Sequence, residues 1–352
     1  MKIEAEELKE IAIEILRGLK ASEDEAALVA ESLVQADMRG IDTHGVHFLT
    51  LLARRVDAGM IQIPTRVAVV KDEGAIAHLD GQDGLGQVAA RRAMELCIQK
   101  AKAFGVGTVF VRNTNHVGIL AFYGLMAAKQ NMVGIAMCNA AASIAPWGGT
   151  RPFFGTNPMS IAIPGGSRDP VVLDMASSVV ARGKIRRAER QRESIPPGWA
   201  FDESGSPTTD AAAAMKGTLM PIGGPKGYGL ALMIDLLSGL LSGSLYGPQV
   251  KTFHEPLGPT GVGMCAMAID VSRFMPLEQF SAILQGHLDH IRASEKAPGV
   301  ARIYLPGEIE AEKAQKAARD GVDVSEATVR GLDELLARVK SPRRLAERAA
   351  RH

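Results

Sequence analysis

The chain has little cysteine, few aromatic residues and no excess of either charge. Its three cysteines, Cys97, Cys138 and Cys265, are odd in number and far apart, and none belongs to a CxxC pair. That pattern argues against a disulfide framework and a zinc ribbon, and it fits a reducing cytoplasm. Since 40 Lys and Arg oppose 39 Asp and Glu, the net charge of +1 gives no general attraction to nucleic acid or acidic membranes.

Long hydrophobic runs are also missing. The longest apolar stretch, residues 229–243, is interrupted by Asp235 and is too short to span a bilayer. The first ten residues are acidic and have no apolar core, so no signal peptide is predicted. With 352 residues, 46% of them hydrophobic and 22% charged, the composition is typical of a soluble cytoplasmic protein with one large core or a few smaller ones.

Hydrophobic periodicity predicts helices that alternate with strands. The first helix spans 4–19, a capping box of Ser22 and Glu25 begins the second, and Thr43 is expected to cap a third through 45–58. Further helices are predicted at 87–104, 119–129, from about 226, at 276–293 and at 325–350. Strands are predicted as a hairpin at 67–80 and at 107–113, 133–140, 170–176, 263–270 and 301–306, with loops at 141–165 and 189–225. This order indicates an α/β fold with one mixed sheet surrounded by helices.

The segment GLGQVAA (84–90) matches the dinucleotide-binding pattern G-x-G-x-x-A and precedes a predicted helix. A Rossmann fingerprint also needs a strand that runs directly into the first glycine, and an acid about 20 residues further on. Residues 80–83 separate the predicted strand from Gly84, and the next strand ends in Arg112 and Asn113. A glycine-rich helix start is therefore favoured over a Rossmann site.

Two histidines lie in similar polar turns. His44 lies in Asp-Thr-His-Gly at a predicted helix start, and His116 follows Asn-Thr-Asn after an apolar strand. Histidine titrates near neutral pH and neighbouring amides can fix its tautomer, so either ring suits general acid–base catalysis. A structural role is an equally weighted alternative. The spacing is not that of zinc ligands on a helix, so no metal is predicted.

A third candidate site is the segment 223–239, where glycines flank Lys226 at a helix start. Backbone N–H groups, the positive end of the helix dipole and an ammonium would converge there on a pyrophosphate or a carboxylate. The Walker pattern is not met because Gly227 follows Lys226. A simple turn before a buried helix is the alternative. The glycine- and amide-rich stretch 146–158 suits the wall of a ligand pocket.

Together these segments resemble the malate/L-lactate dehydrogenase family, which lacks the Rossmann fold. The matching stretches are ADMRGIDTHGV, DGLGQV, NTNHVG, APWGGTRPFFGTNP, VLDMASSVVARGKI, IPPGWAFD, GGPKGYGLALMIDLLSG, FMPLEQF and PGE at 306–308. The resemblance covers about residues 5–340. It implies a family-specific non-Rossmann fold and a homodimer with its site near the subunit interface. It also implies hydride transfer between a 2-oxo or 2-hydroxy acid and NAD or NADP, with NAD slightly favoured.

The resemblance also assigns parts of the chain and individual residues. A helical, dimerising part would comprise 1–75 and 290–352, and the cofactor and substrate would bind within 76–289. His116 occupies the position of the catalytic histidine, and His44 a second position near nicotinamide and substrate. Cofactor contacts are implied for Ala140, Asp174, Met175, Ala176 and Lys226. Substrate contacts are implied for Thr43, His47, Phe48, Thr156 and Asn157.

Position 48 departs from the family pattern D-[ST]-H-G-V-x-R, because Phe48 replaces the arginine. On a helix that arginine would share a face with His44 and could bind a carboxylate through two hydrogen bonds. Either the substrate lacks the usual second carboxylate or another cation binds it. His47 is one candidate, whereas Arg55 lies about 16 Å along the helix. A reductase of cyclic imine carboxylates and a non-catalytic nucleotide-binding module therefore stay open beside the 2-hydroxy acid dehydrogenase.

Overall fold

A mixed seven-stranded sheet organises the protein in the computed structural model, which describes residues 1–255 and 257–345. The strands are β1 (Lys2–Ile3), β2 (Ala68–Glu73), β3 (Ile76–Asp80), β4 (Val106–Thr114), β5 (Met132–Cys138), β6 (Met159–Ile163), β7 (Val171–Met175), β8 (Ala200–Phe201), β9 (Pro207–Thr208), β10 (Thr218–Leu219), β11 (Val262–Asp270) and β12 (Val322–Asp323). The helices are α1 (Ala5–Gly18), α2 (Glu23–Met38), α3 (Phe48–Asp57), α4 (Gly86–Phe104), α5 (Ala121–Ala128), α6 (Arg182–Gln191), α7 (Ala211–Lys216), α8 (Pro225–Asp235), α9 (Leu277–Arg292), α10 (Glu308–Asp320) and α11 (Glu326–Arg338).

The strand order in the large sheet is β2-β3-β4-β11-β5-β6-β7. Only β3 and β4 pair in parallel, and α4 connects them as a crossover helix; the other neighbours are antiparallel. The central strands β4 and β5 bury every second side chain, because α4 and α5 cover one face of the sheet, whereas β11 between them is buried continuously over its first five residues. The predicted mixed sheet surrounded by helices is confirmed.

Three large hydrophobic cores lie around this sheet, beside a small cluster between α5 and strands β6 and β7. The first fills the space between the sheet and helices α4 and α5. The second joins α1, α2 and α3 to α11, so the N-terminal helices and the last described helix pack together. The third joins α6, α7 and α8 beside the small sheet β10-β8-β9. No helix within 1–255 or 257–345 is long and apolar enough to cross a membrane.

Several local predictions are confirmed. Ser22 and Glu25 form the predicted capping box at the start of α2. The hairpin, the helix after the glycine cluster and the strands at 106–114, 132–138, 171–175 and 262–270 lie where the periodicity indicated. The sheet begins earlier in the chain than residue 76, where the sheet-containing part was predicted to start, because its edge strand β2 lies within 1–75. The division itself stays a prediction.

Other local predictions are wrong. Strand β6 crosses the predicted loop 141–165, and 189–225 contains the end of α6, α7 and the small sheet. Residues 301–306 form no strand, since they lead into α10, which the pattern did not indicate. The last helix ends at Arg338 rather than 350; positions 346–350 of that prediction lie outside the described residues. Short strands and polar surface helices have too few buried residues to leave a clear period.

Candidate active site

The turn between α2 and α3 presents the first motif histidine. Residues Asp42–His44 form a single 3-10 turn, and α3 begins only at Phe48, with His47 before it. Thr43 therefore does not cap the helix as expected. Its hydroxyl lies 2.9 Å from His44 Nδ1 instead. Thr43 thus orients the imidazole rather than the helix.

Asp37, near the end of α2, fixes this turn. Its carboxylate accepts a hydrogen bond from the Val46 amide at 2.8 Å, and burial raises its pKa to about 7. A side chain at position 45 would put Cβ 1.8 Å from Asp37 Oδ1, so only glycine fits there. Asp37 lies within the family-like segment ADMRGIDTHGV, but no role was predicted for it from the sequence. Its place one turn before the DTHG motif was the available signal.

The glycine cluster at 84–86 supports the second histidine turn. Asn115 donates from its side-chain amide to the carbonyl groups of Asp83 and Gly84, at 2.9 Å each. Thr260 donates to the same amide's oxygen at 3.0 Å. A Cβ on Gly86 would lie 2.3 Å from the His116 carbonyl oxygen. The glycines therefore allow β3, α4 and the turn that carries His116 to approach closely, and the Asn115 side chain occupies two of the loop's carbonyl groups.

Replacing Gly86 with alanine is expected to displace this turn. Because the nearest atoms are backbone oxygens, they cannot rotate away, and overpacking of this kind costs about 1–3 kcal/mol. A thermal unfolding curve should show a lower Tm, and any dehydrogenase activity should fall with it. Gly286→Ala is the matched control, since Gly286 lies in α9 with nothing within 4 Å of the added Cβ. A Tm that falls equally in both variants would contradict the close-approach explanation.

Four aromatic rings stack into one column, here called the ring column: His44, His116, Phe48 and Phe253. The ring centroids are 5.1 Å apart between His44 and His116, 4.0 Å between His116 and Phe48, and 4.5 Å between Phe48 and Phe253. Each pair lies within 28° of parallel. Both motif histidines thus meet, and the phenylalanine at position 48 covers one face of His116.

Arg55 closes the far end of the ring column. Its guanidinium lies 4.7 Å from the Phe253 ring centroid, and its exposed fraction is 2%. It donates to the backbone carbonyl groups of Thr252, Glu255 and Gly258, at 3.4, 3.0 and 2.7 Å. Arg55 therefore holds the segment that carries Phe253. No sequence motif pointed to Phe253, which reaches the site from about 200 residues away in the chain.

Burial keeps both histidines neutral. It lowers the pKa of His116 well below its ordinary value, and His44, His254 and His47 lower it further by charge repulsion. Burial, and then His47, lower the pKa of His44 to about 4. The Gly118 amide donates to His116 Nδ1 at 3.2 Å, and an amide can only donate. The proton of the neutral His116 ring is therefore on Nε2, the nitrogen left to interact with a ligand.

Four of the five residues assigned to the cofactor lie at the ends of β5 and β7: Ala140, Asp174, Met175 and Ala176. Asn157 bridges them to α8: its side chain accepts from the Ala140 amide at 3.0 Å and donates to the Ala231 carbonyl at 2.8 Å. It is fully buried, so its amide is already satisfied inside the protein. Thr156 accepts from the Ser177 amide through its carbonyl group at 2.7 Å. These contacts fix the backbone at Ala140 and after β7.

Asp174 on β7 connects the sheet to α5. Its carboxylate accepts from the Ala121 amide, the first residue of α5, at 2.9 Å. Burial raises its pKa to about 6, while the Ala121 bond and the charge of Arg39 lower it. Met175 and Ala176 follow and are half-buried. The side chain of Asp174 is thus occupied within the protein, whereas the neighbouring strand end stays accessible.

Lys226 is exposed in the first turn of α8, which begins at Pro225. Gly223 and Gly224 before it have φ angles of +59° and +64°, which favour glycine. No ion pair formed within 1–255 and 257–345 includes Lys226. Its ammonium and the first amides of α8 are available to an anion. The same described residues contain no cluster suited to a metal ion.

Comparison with known proteins places the chain in a class of enzymes. The malate dehydrogenase of Pyrococcus abyssi is 37% identical over 347 residues, 96% of this chain and 95% of that protein. The structure of sulfolactate dehydrogenase from Methanocaldococcus jannaschii superposes with a TM-score of 0.91 at 38% identity, over 97% and 98% of the two chains. The relatives are dehydrogenases by name, so the chain is an NAD(P)-dependent oxidoreductase.

The family follows from the whole length of the chain. Residues 3–333 match the malate/L-lactate dehydrogenase family, and the chain belongs to it. The resemblance found in the motifs is thereby confirmed. Both nucleotides occur in the names of relatives: ureidoglycolate dehydrogenase (NAD(+)) of Escherichia coli K12 is 35% identical over 92% of this chain and 93% of that protein. A (2R)-3-sulfolactate dehydrogenase (NADP(+)) of Chromohalobacter salexigens is 35% identical over 86% of this chain and 91% of that protein.

Proposed function

We propose that this enzyme interconverts a 2-oxo acid and its 2-hydroxy acid, with His116 as the general acid and base. The ring column carries the proposal, because it brings both motif histidines together in a half-buried place. Two stacked imidazoles, one of which keeps Nε2 free for a ligand, suit proton exchange with a substrate oxygen. Family membership supports the same chemistry, since relatives are named for malate, sulfolactate and ureidoglycolate.

The residues present fit a nicotinamide nucleotide. Lys226 and the first amides of α8 would hold its phosphates, since this unpaired cation stands at the positive end of a helix. Ala140 and the strand end at Met175 and Ala176 would line the remainder of the nucleotide site. When bound, the reduced nucleotide supplies a hydride to the substrate carbon. We include both NAD and NADP, with NAD slightly favoured as in the sequence analysis.

The chain's own residues would manage the proton. For reduction, His116 protonated on both nitrogens would donate its Nε2 proton to the 2-oxo oxygen as the alcohol forms. This leaves a neutral ring whose remaining proton is on Nδ1, so the hydrogen bond from the Gly118 amide is given up in that form. In the oxidative direction, a neutral ring that carries its proton on Nδ1 would accept the hydroxyl proton at Nε2. Phe48 stacks on His116 and keeps water from that face. His44, oriented by Thr43, covers the opposite side of the ring.

An absorbance assay of NADH and NADPH oxidation tests the proposal. Each nucleotide would be offered with oxaloacetate, pyruvate, sulfopyruvate, a bulky 2-oxo acid and a cyclic imine carboxylate. Oxidation with any of the 2-oxo acids is the expected result. Nucleotide binding by calorimetry without turnover across the whole panel would contradict the proposal and favour the non-catalytic binding module.

Lys226→Gln is expected to weaken nucleotide binding selectively. Removing a charged hydrogen bond to a phosphate costs about 1.5–3 kcal/mol, a loss of about 10- to 150-fold in affinity. Fluorescence titration with NADH and NADPH measures this Kd directly. The control is Lys184→Gln, because Lys184 is also exposed and lies on α6, which packs with α8 in the third hydrophobic core. An unchanged Kd in Lys226→Gln would remove this lysine from the cofactor site.

A reductase of cyclic imine carboxylates is the second candidate, and the apolar side of the ring column favours it. Phe48 stands where the family pattern has an arginine, so the edge of the ring column beside His116 is apolar rather than cationic and would suit an aliphatic ring. A kcat/KM for a cyclic imine carboxylate that exceeds that for every 2-oxo acid would establish this activity. Absence of imine turnover, with a 2-oxo acid reduced, would exclude it.

A cytoplasmic homodimer completes the proposal, as the resemblance implies. The end of α8 and the π-helical turn after it expose a row of large apolar side chains: Met233, Leu236, Leu237, Leu240 and Leu241. Such a row is costly in water and is typical of a surface that a second copy covers. The cysteines are buried and free, which fits a reducing compartment. Light scattering should give twice the 37.4 kDa mass of one chain.

A further inference from the structure

Helix α6 carries a row of arginines that have no acidic partner in the described part of the chain. Arg182, Arg186 and Arg190 are spaced four residues apart, so they share one face of the helix. None of them takes part in an ion pair formed within 1–255 and 257–345. The repulsion between neighbours lowers the pKa of Arg182, beyond the effect of its burial. Three uncompensated cations on one face favour an anion.

This face lies against the candidate active site. A Cβ added at Gly183 would come 3.1 Å from the Thr43 side chain, so the start of α6 touches the DTHG turn. Further along, Arg186 donates to His254 Nε2 at 3.2 Å. Burial, and after it the charges of Arg186, His47 and Arg190, lower the pKa of His254, and the charge of His254 in turn lowers that of His116. Arg186 is thus hydrogen-bonded to a histidine whose charge acts on His116.

Other cations near the site are less suitable. Arg55 is spent on three backbone carbonyl groups at the buried end of the ring column. Arg39 is surrounded by the charges of Glu310, Asp174 and Asp169. Arg182 donates to the Met215 carbonyl at 2.5 Å. Arg186 is half-buried and uses one N–H on His254, while a guanidinium has five.

We propose that Arg186 binds the carboxylate attached to the reacting carbon of the substrate. A guanidinium would thus reach the substrate from a helix other than α3, and it would bind the first carboxylate rather than a second one. The inference rests on the proposed function for the identity of the anion, a 2-oxo acid or an imine carboxylate. His254 is a positioning residue: its unprotonated Nε2 accepts from Arg186 and directs the remaining N–H groups of the guanidinium to the ligand.

With a cation on α6 for the first carboxylate, Phe48 needs no charged replacement. The substrate carboxylate would bind toward α6, and the substituent on the far side of the reacting carbon would face Phe48 and Phe253. A guanidinium can bind both carboxylate oxygens, which fixes the orientation of the carbonyl oxygen toward His116. The enzyme would therefore accept acids with an apolar or uncharged side chain and need no second carboxylate.

Oxamate binding tests the inference separately from catalysis. Oxamate carries one carboxylate beside a carbonyl group and accepts no hydride, and its binding to the NADH-loaded protein is measured by calorimetry. Arg186→Gln should weaken oxamate about 10- to 150-fold, the usual loss of a charged hydrogen-bond pair. The Kd for NADH should stay unchanged. With a turned-over substrate, KM should rise by a similar factor and kcat should change less.

Three comparisons make the result specific. Arg187→Gln is the matched control, because Arg187 is exposed on the same helix and contacts only Gln191 among the described side chains. Arg186→Lys should keep part of the affinity, and methylguanidinium should restore oxamate binding to Arg186→Ala. Equal weakening in Arg186→Gln and Arg187→Gln, or none in either, would overturn the inference, as would a wild-type protein that binds NADH but not oxamate. Oxamate binding that depends on Arg186, without turnover of any substrate, would instead contradict only the proposed function.

Discussion

Replacing His116 with asparagine is expected to lower kcat by about two to four orders of magnitude, the usual contribution of a general acid or base. Asparagine keeps a hydrogen-bond donor near the substrate oxygen but cannot exchange a proton with it. Substrate binding should change far less than turnover, because other residues are proposed to bind the carboxylate and the nucleotide. Steady-state kinetics in both directions, with the best substrate of the panel, measure the effect.

A control is needed because His116 also stacks between two rings. Loss of the imidazole could disturb Phe48 and His44, so a Tm and the Kd for NADH should accompany the kinetics. His287→Asn, an exposed change on α9, controls for the substitution itself. Activity that stays within a factor of a few of the wild type, in a folded His116→Asn protein, would remove His116 from the proton transfer.

The pH dependence should differ sharply between the two directions. Burial lowers the pKa of His116 well below its ordinary value, so the ring is already neutral at pH 6.5. Oxidation needs the neutral ring, so its kcat/KM should stay level from pH 9 to below 6.5. Reduction needs the protonated ring, so its kcat/KM should fall about tenfold per pH unit across that range. The two slopes differ because oxidation consumes the neutral form of His116 and reduction consumes its protonated form.

Initial rates at subsaturating substrate between pH 5.5 and pH 9 measure this prediction, with the nucleotide saturating. The His116→Asn variant should lose the slope in the reductive direction, which separates the histidine from other titrating groups. An oxidative profile that bends near pH 6.5 would show an ordinary, solvated histidine. That result would contradict the buried neutral ring of the column.

The sequence predicted those parts of the fold that repeat a simple period. The helix at Gly86–Phe104 and the strands β4 and β5 have regular apolar positions, β11 is a continuous apolar run, and the capping box of Ser22 and Glu25 is a local polar motif. Strand β6 was hidden among turn residues because only five residues pair there. Helix α10 buries none of its residues, so its apolar positions carry no stripe.

The site was predictable only where its chemistry lies in local motifs. His44, His116 and Lys226 stood out because glycines, amides and helix starts surround them in the sequence. Phe253, His254 and Arg186 are brought to the histidines by tertiary folding from distant segments, and no local pattern indicates such a meeting. The glycines at 84–86 were correctly not assigned to a Rossmann site, but their actual partner, the His116 turn, lies 30 residues further along.

The ring column makes its members interdependent for evolution and for design. An arginine introduced at position 48 would not merely restore a family contact. It would also remove the surface on which His116 rests and the layer between His116 and Phe253, and it would bring a second cation toward Arg55. Replacing Phe48, Phe253 and Arg55 together should therefore disturb the site less than introducing an arginine at position 48 alone. A change of substrate range in this protein should therefore need paired substitutions. A single substitution at position 48 should lower activity unless Phe253 or Arg55 has already been replaced.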